Sequence, residues 1–102
     1  MEIDISGRHF HVLEVLRKYA SEKIEKLDKY ASKLETAHVI IEVQKFVHTA
    51  EITLLGKQLR FVAKERSTDM YAAFDKAYES MKRQLGHHHE KTKDHKARRY
   101  ET

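Results

Sequence analysis

Residues 38–64 have the sequence HVIIEVQKFVHTAEITLLGKQLRFVAK, in which apolar and polar side chains alternate. A period of two is typical of strands that have one buried and one solvated face. Three apolar stripes can be distinguished: Val39, Ile41 and Val43; Ala50, Ile52 and Leu54; and Leu59, Phe61 and Ala63. Gly56-Lys57 marks a tight hairpin between the last two stripes. This part of the chain is therefore predicted to form three antiparallel strands.

The residues on the N-terminal side supply one more strand and a helix. Residues 2–6 alternate in the same way and predict a short strand that ends at Gly7. From Val12 onward the apolar residues recur at steps of three and four, which predicts an amphipathic helix of about six turns. The members of this stripe are Leu13, Leu16, Ala20, Ile24, Leu27, Ala31 and Leu34.

The residues on the C-terminal side predict a second helix. Ser67, Thr68 and Asp69 are all suitable N-cap residues. The apolar stripe that follows comprises Met70, Phe74, Ala77, Met81 and Leu85, with Ala73 and Tyr78 beside it. Because the stripe stops at Leu85, a helix that continues must leave the globular body; residues 86–99 would project by roughly 21 Å at 1.5 Å per residue.

The order strand, helix, three strands, helix predicts an α+β fold. We expect one four-stranded sheet with both helices packed on one face. The first strand, the first helix and the second strand would form a right-handed parallel crossover, and the other strands an antiparallel meander.

Composition narrows the class of protein. The 102 residues are 40% hydrophobic and 35% charged, which suits one globular domain and neither a disordered chain nor a membrane protein. Cysteine is absent, so disulfides and thiolate sites are excluded. The N-terminal residues Met1–Asp4 lack the features of a secretory signal, and a cytoplasmic location is expected.

Positive charge is concentrated at the C-terminal end. Between Lys82 and Arg99, seven basic residues accompany two acidic ones, whereas the whole chain carries a net charge of +4. The rest of the chain is therefore nearly neutral. This asymmetry indicates a polyanionic partner, and a basic rod can neutralise RNA phosphates. The alternative is a solvated C-terminal segment that binds nothing.

Two weaker features also have two interpretations. On the first helix, Lys23 and Lys26 point the same way, but neighbouring acidic residues offset them, so this surface can equally be an ordinary solvated face. Near the start of the second helix, Tyr71 and Phe74 could stack on bases. Packing is the better explanation for Phe74, which belongs to the core stripe.

The run His87-His88-His89 does not suit a metal. Neighbouring residues of a helix point about 100° apart, so three in a row cannot share one ion from a single face. No metal and no cofactor are expected. Protonation is the better use of these residues, because histidine titrates near neutrality and bound phosphate favours its charged form.

Catalytic patterns are scarce in this sequence. No serine lies in a nucleophile-elbow pattern, and no glycine-rich phosphate loop is present. His9, His11 or His48 could serve a small ribonuclease as acid–base groups. A binding module is the preferred interpretation, so no catalytic residue is expected.

One motif resembles a known family. The sequence Asp69-Met70-Tyr71-Ala72-Ala73-Phe74-Asp75 is similar to the Asp-Met-Tyr-Ala-Ala-aliphatic-Asp signature of the ribosome hibernation-promoting factors, which include the ribosome-associated translation inhibitor. Arg83-Gln84-Leu85 followed by a basic run also resembles that family. The similarity covers residues 1–95, which we expect to form the domain, followed by a basic, flexible tail over residues 96–102.

This resemblance implies a βαβββα fold similar to double-stranded-RNA-binding domains. It implies binding to the small ribosomal subunit and its 16S rRNA in the mRNA/tRNA channel, which would inhibit translation in stationary phase or stress. The protein would be monomeric when free, with no membrane and no small-molecule substrate. The expected rRNA-binding residues are Lys23, Lys26, Lys82, Arg83, His87, His89, Lys91 and Lys93. The family's His-Thr matches His48-Thr49. A generic duplex-RNA-binding module and a small ribonuclease remain the alternatives.

Some positions depart from the family pattern. His87 and His89 stand where short members often have lysine, and Gly86 stands where a better helix former is usual. These departures predict a less rigid helix whose charge depends more on pH. Residues after His95 do not match the shortest members, and the second domain of the long members is not expected.

Overall fold

The computed structural model describes residues 1–30 and 33–101, and the side chains of residues 1–29 and 33–88. Its strands are β1 (Glu2–Arg8), β2 (Leu34–Gln44), β3 (Val47–Gly56) and β4 (Leu59–Ser67). Its helices are α1 (Glu14–Glu25), followed by a 3₁₀ helix (Lys26–Tyr30), and α2 (Met70–Glu101). The predicted α+β class and element order are confirmed.

The four strands form one sheet in the order β1-β2-β3-β4. Strand β1 runs parallel to β2, and the other neighbours are antiparallel, as predicted. The register aligns Ile5, Val39, Ile52 and Ala63 in one row, and all four are buried. This row belongs to the face that the helices cover.

The helices bury the apolar stripes that the sequence predicts. Leu16 and Ile24 of α1 and Phe74, Met81 and Leu85 of α2 are each at most 2% exposed. At about 25 cal/mol per Å² of apolar surface, contacts of this kind supply the main stabilisation of the fold.

The predicted length of the first helix is wrong. The α-helix ends at Glu25 instead of continuing to Leu34, and Leu34 is the first residue of β2. Leu27 and Leu34 are both buried, which is why their spacing suits a helical stripe, but Leu27 belongs to the 3₁₀ helix and Leu34 to β2. The predicted burial of Leu13 is also wrong: Leu13 is 63% exposed, whereas its neighbour Val12 is buried.

Two tight approaches explain why glycine occupies positions 7 and 56. A Cβ atom on Gly7 would clash with the carbonyl oxygen of Phe10, and a Cβ on Gly56 with the carbonyl oxygen of Lys33. The predicted hairpin is confirmed: Gly56 pairs with Leu59 across a two-residue loop.

Helix α2 begins with a side-chain cap. The Asp69 carboxylate accepts a hydrogen bond from the Ala72 amide at 3.0 Å, so Asp69 is the N-cap among the three candidates. The helix has 32 residues and is therefore about 48 Å long. Leu85 is the last buried residue among the described side chains, and the ring of His88 contacts Phe61 near the start of β4.

Beyond that contact, the helix continues to Glu101 past the edge of the sheet. The molecule is accordingly elongated, with extents of 56 × 23 × 19 Å. The division between a domain that ends at residue 95 and a flexible tail stays a prediction.

Candidate nucleic-acid interface

The seam between α1 and α2 is built around the carboxylate of Asp75. Its Oδ1 atom accepts a hydrogen bond from the Tyr19 hydroxyl at 2.6 Å and lies 3.0 Å from the Lys23 ammonium. Tyr19 and Lys23 are four residues apart on α1, so both reach the same residue of α2. The seam therefore fixes the position of one ammonium group between the two helices.

These contacts change the proton affinity of both groups. The hydrogen bond to Asp75, together with burial, raises the pKa of the Tyr19 phenol. Partial burial alone would lower the pKa of the Lys23 ammonium, but hydrogen bonding with Tyr19 and Asp75 and the charge of Asp75 outweigh it, so this pKa is raised. Lys23 therefore stays charged throughout the neutral range.

Aromatic rings surround the same ammonium. Lys23 Nζ lies 5.0 Å from the ring centre of Tyr19 and 5.2 Å from that of Tyr78, and Lys82 Nζ lies 5.8 Å from Tyr78 on α2. Such cation–π contacts place two ammonium groups at the same aromatic ring. Each group also has a carboxylate partner, Asp75 at 3.0 Å for Lys23 and Glu79 at 3.9 Å for Lys82, so the seam offers two partly neutralised cations to an anionic ligand.

The aromatic residues considered for base stacking pack within the protein. The Tyr71 ring meets Tyr19 edge to face, with ring centres 5.0 Å apart, and 36% of Tyr71 remains exposed. Phe74 is fully buried. The packing interpretation is confirmed for Phe74, and Tyr71 is part of the seam.

The structure places the expected rRNA-binding residues in two groups. Lys23 and Lys82 lie in the seam, and Lys26 is exposed at the start of the 3₁₀ helix. Arg83 and His87 are exposed on α2. The side chains of His89, Lys91 and Lys93 lie outside the described residues, so only their positions on the helix are known.

The helical backbone aligns these positions in two neighbouring stripes. Positions 83, 87 and 91 follow one another at steps of four, and positions 82, 86, 89 and 93 at steps of three and four. All expected rRNA-binding positions of α2 therefore fall on adjoining faces of one rod. Two carboxylates accompany this surface: Glu79 lies 3.9 Å from Lys82, and Glu65 lines the recess beside Arg83.

The histidines of the ribonuclease alternative do not form a recognisable acid–base pair. His9 and His11 lie in the loop between β1 and α1, and His48 lies in β3 at the same end of the sheet. None of the three side chains has a hydrogen-bond or ion-pair partner within residues 1–30 and 33–88. Within the same residues, no group of three or more His, Asp or Glu side chains could hold a metal ion.

Sequence reasoning missed three residues. Asp75 was read as part of a motif, and its contact with Lys23 spans 52 positions of sequence, so spacing could not reveal it. Tyr19 precedes Lys23 by one helical turn, which is a signal that could have been used. Phe46 is 85% exposed in the turn between β2 and β3, where an aromatic residue interrupts a polar turn.

Comparisons with known proteins identify the family. Residues 3–93 match the family model described as sigma 54 modulation protein / S30EA ribosomal protein. A ribosome hibernation promoting factor of Escherichia coli K12 is 33% identical over 95 residues, which are 93% of this chain and 100% of the relative. One of Pseudomonas putida KT2440 is 36% identical over 91 residues, or 89% of each chain.

Solved structures show the same fold. The N-terminal domain of Protein Y from Thermus thermophilus superposes with a TM-score of 0.77 at 27% identity, covering 85% of this chain and 98% of that one. A ribosomal subunit interface protein from Coxiella burnetii superposes with a TM-score of 0.80 at 19% identity, covering 86% and 97%. None of the described helices is long and apolar enough to cross a membrane. On the family match and the identity to these relatives, the chain belongs to the sigma 54 modulation protein / S30EA ribosomal protein family.

Proposed function

We propose that this protein is a ribosome hibernation factor that binds the small subunit in the mRNA/tRNA channel and stops translation during stationary phase or stress. Membership of the family and two relatives named ribosome hibernation promoting factor support the ribosome as partner. The proposal includes a cytoplasmic location and a free protein that is monomeric. It includes no catalytic step.

The observation that carries the proposal is the long helix with its basic stripes. Among the described side chains of helix α2, Leu85 is the last buried one, and the helix continues past the sheet to Glu101. A projecting helix that is rich in lysine and arginine gains stability by neutralising phosphates and releasing their counterions. A rod of this length can enter a groove walled by 16S rRNA, and the globular body then blocks the space around it.

The seam between the helices extends the cationic surface toward the body. Lys23 and Lys82 hold their charges against the Tyr78 ring, and Lys26 follows on the exposed side of the same region. Phosphate contacts fix position without reading sequence. Inhibition would therefore come from steric and electrostatic occupation of the channel.

Co-sedimentation with purified small subunits tests the proposal. We expect the protein to pellet with small subunits at low salt, to be released as salt rises, and to inhibit translation in a purified system. A generic duplex-RNA-binding module would instead be displaced equally well by any RNA duplex. A protein that stays in the supernatant with intact small subunits at low salt would contradict the proposal.

A further inference from the structure

The turn between β2 and β3 carries an exposed aromatic residue that packing does not explain. Gln44 pairs with Val47, so Lys45 and Phe46 form a two-residue loop at the tip of the hairpin. Phe46 is 85% exposed and Val47 is 43% exposed. Burying a phenylalanine side chain is worth about 1.5–3 kcal/mol, a gain that the folded monomer does not obtain at this position.

The backbone of the same turn is also unfavourable. Lys45 has a φ of +56°, in the left-handed region where a side chain costs roughly 1–2 kcal/mol and glycine nothing. A two-residue hairpin loop requires such a φ, and Gln58 in the other hairpin has one as well. The exposed ring of Phe46 is therefore the feature of this turn that local stability does not explain and that binding would.

Charge around the tip indicates the class of partner. Lys45 and Arg66 line the same recess as Val47 on the sheet face away from the helices, and among the described residues no carboxylate forms an ion pair with either. Arg8 lines it too but is paired with Glu42 at 3.5 Å, and Lys64 lies opposite Glu51 in the register. Glu65 is the remaining acidic group of the recess.

An exposed ring next to a recess with a small excess of positive charge suits an unpaired nucleotide. Bases of single-stranded nucleic acid stack on aromatic side chains while nearby cations meet their phosphates. An apolar pocket on a protein would match the ring but not the charges of Lys45 and Arg66.

We propose that Phe46 stacks on an unpaired nucleobase of the RNA to which α2 binds, while Lys45 and Arg66 contact the adjoining phosphates. The inference rests on the proposed function, because it adds a second contact with the same ribosomal RNA. The hairpin tip lies at the end of the sheet where α2 begins, whereas the basic part of α2 projects from the other end. The two contacts would therefore clamp the 56 Å long molecule at both ends.

Substitutions at Phe46 test the proposal by their effect on the dissociation constant for purified small subunits. Phe46→Ala should weaken binding by roughly 5- to 150-fold, the effect of removing one stacked base. Phe46→Leu should weaken it nearly as much because leucine has no π-face, and Phe46→Trp should retain binding. Val62→Ala, also exposed on the uncovered face, is the matched control and should bind like the wild type.

The pattern among the variants separates the possible partners. If Phe46→Leu retains wild-type affinity while Phe46→Ala loses it, the ring fills an apolar protein pocket and the proposal is overturned. If Phe46→Ala binds as tightly as the wild type, the tip makes no contact and the proposal is overturned as well. Thermal unfolding should be almost unchanged in all variants, since the side chain is exposed.

A second measurement keeps this proposal separate from the proposed function. In NMR titrations of the whole protein with a short oligoadenylate, the ring signals of Phe46 should move upfield while those of buried Phe74 stay in place. Unmoved Phe46 signals would overturn the stacking proposal. Failure of the wild type to bind small subunits would refute the proposed function. The NMR result would still show whether Phe46 stacks on nucleobases.

Discussion

Lys23 and Asp75 lie 52 positions apart in sequence, yet the ammonium of one is 3.0 Å from the carboxylate of the other. This ion pair joins α1 to α2 at the centre of the seam. The other residues of the motif at Asp69–Asp75 have structural roles as well. Asp69 caps the helix, Tyr71 packs on Tyr19 and Phe74 enters the core. Asp75 binds Tyr19 and Lys23. The motif therefore fixes the relative position of the two helices.

Replacing Asp75 by alanine should destabilise the fold. The change removes the acceptor for Tyr19 and the partner of Lys23, and both contacts are partly shielded from water. We expect the free energy of unfolding to fall by about 1–2 kcal/mol, less than for fully buried contacts because the Asp75 side chain is 42% exposed. Urea denaturation at neutral pH measures this change.

Glu79→Ala is the control for that experiment. Glu79 is also an acidic residue of α2 that faces a lysine, but its ion pair with Lys82 is 3.9 Å long and 55% of its side chain is exposed. An exposed pair contributes about 0–1 kcal/mol. Equal losses in the two variants would mean that the seam is no more than a surface ion pair.

The folded protein should lose stability at alkaline pH because of the contacts of Tyr19 and Lys23 in the seam. Folding raises the pKa of the Tyr19 phenol and of the Lys23 ammonium, so the folded chain holds both protons more tightly than the unfolded chain. Their contribution is fully present below about pH 10, the ordinary range of tyrosine and lysine, and is lost as the pH rises above it.

Tyr19→Phe removes the phenol and its hydrogen bonds, and it is the variant to compare with the wild type in that experiment. Urea unfolding should show the wild type more stable than the variant by a constant amount up to about pH 10, and the difference should then shrink. Lysines and tyrosines other than Lys23 titrate equally in both proteins and cancel in the comparison. Lys23 contributes with the same sign, because the variant loses the hydrogen bond with Tyr19 that helps to raise its pKa. A difference that grows with pH would show that the sign of the phenol's contribution is wrong.

The sheet and the course of α2 could be predicted because their periods are strict. The alternation over residues 38–64 determines which side chains face the core and how the strands pair. The apolar stripe from Met70 to Leu85 fits only the helical period. The end of α1 could not be predicted, because Leu27 and Leu34 are buried in different elements at a spacing that also suits a helix.

The site was only partly accessible to sequence reasoning. The charge of α2 is visible as a local excess of lysine and arginine, and the exposure of Arg83 agrees with it. In contrast, the sequence shows Lys23 as a solvent-facing cation, whereas the structure gives it a carboxylate partner and two aromatic neighbours. Such contacts depend on tertiary packing, which a single helical period does not encode.

Arg83→Ala should reduce the salt dependence of binding to small subunits. If Arg83 neutralises one phosphate, the slope of log K against log salt should become shallower by about 0.7–0.9. Arg60→Ala removes the same charge from the opposite face of the sheet and should leave the slope unchanged. Equal effects of both substitutions would indicate binding to net charge alone, without a defined face.

Gly86→Ala should stabilise the projecting part of α2. Apart from the helix's own backbone, no atom of the described residues lies within 4 Å of the position that a Cβ would take, so the methyl group fits without rearrangement. Alanine in place of glycine within a helix is worth about 1 kcal/mol. Circular dichroism should show more helix, and amide exchange of residues 86–95 should slow by roughly fivefold.

Gly56→Ala makes the same chemical change where the methyl group meets the carbonyl oxygen of Lys33, and it should destabilise the fold. Gly86 lies in a helix with free space around it, and Gly56 lies at the end of β3 against a carbonyl oxygen. A gain at position 86 together with a loss at position 56 would confirm that the conformational freedom of glycine limits the stability of the projecting helix. Faster exchange in Gly86→Ala would instead mean that the glycine relieves a bend that the helix requires.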